Sequence, residues 1–196
     1  MVETITPVVH GERRGLYRWA LALHTGGAVT AAAALGGLLG SIGALAGAPW
    51  GGLGLYALAA IACIYAVREL FGAPVPLPAR RDQVPSWWRT FYSPLVAGLL
   101  YGLALGIGFL TYLSFGTFVA VAAAAALGGD PVLGAVLCAP FGLGRGIAVA
   151  WANRGPARDP GRTIARLEDL ALGRSPRLLN SAALVAVAAT ASAAGA

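Results

Sequence analysis

Residues 92–129 carry no charged side chain, and that single stretch constrains the fold more than any other feature of the chain. At 1.5 Å per residue its apolar part, Leu95 to Leu127, would make a helix of roughly 50 Å, against a hydrocarbon core of about 30 Å. It is too long for one upright crossing and barely long enough for two. Four further segments are apolar over a spanning length: Leu16 to Ala46, Trp50 to Phe71, Val132 to Ala152, and the alanine-rich Leu178 to Ala194. With 58% hydrophobic and 11% charged residues, a chain of 196 residues has more apolar surface than one water-soluble core could hide. The expected class is all-α: a polytopic helical membrane protein built on two helical-hairpin repeats.

Charge decides the number of crossings. Arg13, Arg14 and Arg18 precede the first helix; Arg80, Arg81 and Arg89 separate the second from the third; Arg154, Arg158, Arg162, Arg166, Arg174 and Arg177 follow the fourth. Cytoplasmic connections collect basic residues, so all three regions are expected inside. The turns at 47–52 and 128–131 hold no basic residue and suit the outer face. A single crossing by 92–128 satisfies every cluster, whereas a double crossing would put the six-arginine connection outside. About five transmembrane helices follow, with six as the alternative.

The corresponding plan is a cytoplasmic tail at 1–15, a first hairpin at 16–72, a cytoplasmic connection rich in Pro, Arg and Trp at 73–91, and a second hairpin at 92–153 whose first helix is broken. An Arg-rich connection at 154–177 and a final helix at 178–196 complete it. All fourteen basic residues are arginine, which with the abundant Ala and Gly indicates a GC-rich prokaryotic genome and hence a prokaryotic cell membrane. The formal charge of +6 lies in connections rather than on one solvated face, so anionic lipid headgroups of the bilayer, not nucleic acid, are the expected partners. A second copy of the chain or another membrane protein is a further expected partner, suggested by the glycine-rich faces.

A kink or unwound segment between Gly106 and Gly116 would absorb the excess length. Gly98, Gly102 and Gly106 repeat a small-xxx-small spacing that allows close helix contact. Beyond them Thr111, Tyr112, Ser114 and Thr117 could satisfy freed backbone groups and line a small-solute cavity; the plainer reading is that the hydroxyls bond their own helix. Arg145, amid Pro140, Gly142, Gly144 and Gly146, is the costliest residue of the chain, at no less than about 2.5 kcal/mol for a charge at membrane depth. It could bind an anionic group or extend to the inner surface. His24 joins the cavity set, with a hydrogen-bonded structural histidine as the alternative. Those six residues are the substrate-binding candidates.

The two halves echo each other: a small-residue helix, a Gly-rich turn holding Pro49 or Pro131, a second helix ending at Gly72 or Gly155, then a Pro/Arg connection. In the 73–91 connection, Trp87, Trp88, Phe91 and Tyr92 with Arg89 suit the headgroup layer. In the later one, Ile164, Leu167, Leu170 and Leu172 among charged residues suggest a surface helix. Cys63 and Cys138 both fall in apolar segments; their depths differ by roughly 10 Å, which argues against a disulfide. No acid is central to a spanning segment, and Arg68 and Glu69 are expected among the headgroups. Neither metal, cofactor nor catalytic residue is expected.

The stretch "AGLLYGLALGIGFLTYLSFGTFVAVAAAAALGGDPVLGAVLCAPFGLGRG" resembles, in its glycine spacing and apolar pattern, the CcdA/DsbD-type thiol electron carriers within the LysE-like transporter group. Where that family has Pro-Cys this chain has Thr111-Tyr112. The resemblance therefore implies the fold and not the redox chemistry. The expected function is an integral membrane transport-type protein. One alternative is a CcdA-like thiol electron carrier using Cys63 and Cys138, and another is a non-catalytic membrane subunit of a larger complex.

Overall fold

The computed structural model describes residues 14–78, 87–110, 113, 115–152 and 173–196; for Arg14, Arg89, Leu110 and Ala152 it describes the backbone alone. Among these residues the regular structure is all helical, with no strand. The elements are α1 (Arg14–Leu45), α2 (Gly52–Phe71), α3 (Trp88–Phe91), α4 (Pro94–Gly106), a 3₁₀ turn (Gly108–Leu110), α5 (Thr117–Gly128), α6 (Pro131–Ala152) and α7 (Arg174–Gly195).

Local chemistry sets their ends. Ser93 Oγ accepts from the Val96 N–H at 3.4 Å and Pro94 follows it, a pairing that starts α4. Asp130 Oδ1 accepts from the Val132 and Leu133 N–H groups at 2.7 and 3.1 Å, starting α6. Gly72, at φ 68°, ends α2 by donating its N–H to the Arg68 carbonyl, and Gly129, at φ 65°, ends α5.

Among the described residues four helices are long and apolar enough to cross a membrane: Gly15–Leu45, Gly52–Phe71, Pro131–Trp151 and Arg174–Gly195. Pro94–Gly106 and Thr117–Gly128 are shorter apolar helices. Large apolar side chains stand outward along them, among them Leu45, Leu53, Ile64, Phe71, Val132 and Leu179. A surface of that kind needs lipid against it. The protein is a helical membrane protein.

The chain forms two compact units. The first comprises Met1–Ala32, Ala79–Tyr112 and Ala139–Ala171; the second Ala33–Pro78, Leu113–Cys138 and Leu172–Ala196. In the first, Gly98, Gly102 and Gly106 of α4 lie against the backbones of Ala20, His24 and Ala28 of α1, so the two helices run parallel. On α6, Gly142 meets the Ala28 backbone and Gly146 meets Thr25, an antiparallel pairing. A β-carbon at Gly102 would collide with the His24 carbonyl, which is why this crossing needs glycine.

In the second unit α2 packs antiparallel to α7, with Gly52 beside Gly195. It also packs antiparallel to α5, and Ala62, Ala66, Ala120, Leu184 and Ala188 form the shared core, covered by Tyr65 and Val187. The turns after α1 and α5 meet where Gly129 backs onto Ala48.

Pro140 and the glycines near it lie inside one continuous helix, α6, from Pro131 to Ala152. Gly142 and Gly146 are used for contact with α1 instead of for unwinding.

Candidate functional site

Polar chemistry gathers at two places, one in each unit. In the first, the repeat of small residues on α4 leaves room for one larger side chain on α1, and His24 fills it. The residue is 1% exposed. Its Nδ1 lies 3.2 Å from the Gly98 carbonyl; because a carbonyl only accepts, Nδ1 is the protonated nitrogen in this contact. Nε2 is buried and without a partner among the described residues. The ring locks the α1–α4 crossing at the same level as the Gly102–His24 backbone contact.

Arg145 belongs to the same unit. Its guanidinium carbon sits 5.0 Å from the centre of the Phe141 ring one turn earlier on α6, a cation–π contact that offsets part of the cost of placing a charge in a spanning helix. The side chain is half-buried rather than extended into solvent.

In the second unit the last two turns of α2 present Tyr65, Arg68 and Glu69. The Glu69 side chain is 3% exposed. Its Oε1 accepts from the Gly116 N–H at 3.0 Å and from Arg68 Nη1 at 2.6 Å. Arg68 Nε donates to the Val75 carbonyl at 2.9 Å, and the Tyr65 hydroxyl donates to the Pro76 carbonyl at 3.2 Å. One cluster thus ties the end of α2, the proline-rich 73–78 segment and the start of α5. A carboxylate at a helix N-terminus also interacts favourably with the N–H groups there.

The sequence reading placed Arg68 and Glu69 among the headgroups and missed this cluster. Glu69 continues the stripe formed by Ala59, Ala62 and Ala66, all buried on one face of α2, and that helical register was the available signal.

Of the expected cavity residues, Thr111, Tyr112 and Ser114 lie outside the described residues. Thr117 is the first residue of α5, and its hydroxyl is buried with no partner among the described residues. His24 and Arg145 belong to the first unit and Thr117 to the second. The cysteines are free: Cys63 is exposed on α2 and Cys138 is fully buried on α6. The expected surface helix at 162–172 and residues 1–13 of the expected 1–15 tail also fall outside the described residues, while residues 14 and 15 open α1.

Several proteins of known name are similar to this chain. The methylamine utilization protein MauF of Paracoccus versutus is 43% identical over 133 residues, which is 66% of this chain and 48% of that protein. MauF of Paracoccus denitrificans is 38% identical over 130 residues, covering 66% and 47%, and MauF of Methylophilus methylotrophus 36% identical over 146 residues, covering 72% and 50%. The chain spans about half the length of the curated relatives it matches. No protein-family model matches it, and neither does any solved structure.

These matches overturn the resemblance to the CcdA/DsbD-type carriers and the LysE-like group. That resemblance rested on glycine spacing and apolar pattern, which any closely packed helix pair demands. Gly98, Gly102 and Gly106 are accounted for by contact with α1 alone. The transport-type function gives way with it, as do the thiol-carrier and membrane-subunit alternatives, because the relatives are methylamine utilization proteins.

Proposed function

We propose that this chain serves methylamine utilization, the process its MauF relatives are named for, from within the cell membrane and in an accessory role. The observation that carries the proposal is 34–43% identity to five MauF proteins, each over 65–72% of this chain. A run of 129–146 residues reaches well beyond one helix pair. The two polar clusters support the accessory part: each is spent on tying helices together, through His24 and Gly98 in one and through Glu69, Arg68 and Gly116 in the other.

The same proposal places the N-terminus in the cytoplasm of a prokaryotic cell, on the arginine distribution.

The test is an in-frame deletion in the host, grown with methylamine or with succinate as sole carbon source. Loss of growth on methylamine alone supports the reading, and equal growth on both rejects it.

A further inference from the structure

In the first unit α1 and α6 diverge beside their contact at Thr25 and Gly146, leaving a lateral groove of about 580 Å³. Its wall includes Arg18, Thr25, Gly26, Thr30, Gly146 and Ile147. No acid lines it. A β-carbon at Gly26 would meet nothing within 4 Å, so the floor is open space and not a packed seam.

Three features specify an occupant. From Arg18 to Thr30 the groove follows α1 for about 18 Å, a little more than half of a roughly 30 Å hydrocarbon core. That is the depth of one leaflet. A partner helix would require a seam across both. Among the described lining residues the single cation, Arg18, stands at one end, and two exposed tryptophans mark that end: Trp19 beside Arg18 and, because α6 is antiparallel, Trp151 beside Ala150. Tryptophan at such a position belongs to the headgroup boundary. The groove is therefore polar and positive where headgroups lie, and apolar where a chain would descend.

We propose that this groove seats one acyl chain of an anionic phospholipid, with the lipid phosphate against Arg18. The inference rests on the membrane placement above but not on the role in methylamine utilization. An arginine near the membrane surface attracts an anionic lipid by about 1 kcal/mol, so a preference of about fivefold over a zwitterionic lipid is expected.

Native mass spectrometry of the full chain in detergent, titrated with phosphatidylglycerol or phosphatidylcholine of matched chains, measures this. The wild type should retain phosphatidylglycerol about fivefold better. Arg18→Gln should abolish the preference while leaving a lipid adduct, and Gly26→Leu, whose side chain would fill the groove, should reduce both adducts. Ala22→Leu, which fills the same groove, replaces Gly26→Leu should the latter lose its helical signal. An unchanged preference in Arg18→Gln, or unchanged adducts in the folded filling variant, would overturn the proposal. So would displacement of lipid by a co-purifying helix that Gly26→Leu expels. Failure here with an intact membrane topology removes the groove assignment alone; failure of the topology removes the placement on which it rests.

Discussion

The Gly116 N–H donates to Glu69 Oε1 at 3.0 Å, so a side chain at the end of α2 holds the start of α5 from 47 positions away. The same oxygen accepts from Arg68 at 2.6 Å. Glu69→Leu removes both bonds and should cost about 1.5–3 kcal/mol, the range for hydrogen bonds to a charged group. Glu69→Gln keeps an acceptor for Gly116 and should cost less. Unfolding of each variant in mixed detergent and SDS micelles measures the difference, and equal stability of Leu and Gln variants would show that Gly116 gains nothing from the contact.

Gly102 and Gly144 form a matched pair of probes. A β-carbon on Gly102 collides with the His24 backbone, while one on Gly144 meets nothing within 4 Å. Gly102→Ala should destabilise by about 1–3 kcal/mol, as overpacking does. Gly144→Ala should be neutral or slightly stabilising, since alanine is favoured over glycine in a helix by about 1 kcal/mol. The same unfolding assay reads both, and a harmless Gly102→Ala would dissolve the α1–α4 crossing described here.

The two thiols should differ by accessibility and not by redox state. Cys63 is exposed and Cys138 is fully buried, and neither is bonded to the other. In detergent a maleimide should modify Cys63 in the native protein and Cys138 only after SDS is added. Prior treatment with reductant or oxidant should change neither result. Labelling of Cys138 in the native state would contradict its placement.

Much of the architecture was legible because its causes are local. Apolar length marks α1, α2, α6 and α7, and arginines bracket them in the connections. Gly98, Gly102 and Gly106 could be read as contact positions because four-residue spacing keeps them on one face. The sites were not legible for the opposite reason. His24 finds Gly98 across 74 positions and Glu69 finds Gly116 across 47, and nothing near either residue announces its partner. Functional kinship was obscured by the same glycines, whose spacing reports how closely helices approach and not what they approach for.

The topology proposed above has the stretch from Pro94 to Gly128, interrupted between α4 and α5, cross the membrane once. Paired phosphatase and fluorescent-protein fusions after Pro78, Gly129 and Gly173 test it most directly. The account predicts that Pro78 and Gly173 report the cytoplasm while Gly129 reports the outside. Pro78 and Gly129 reporting the same side would contradict it.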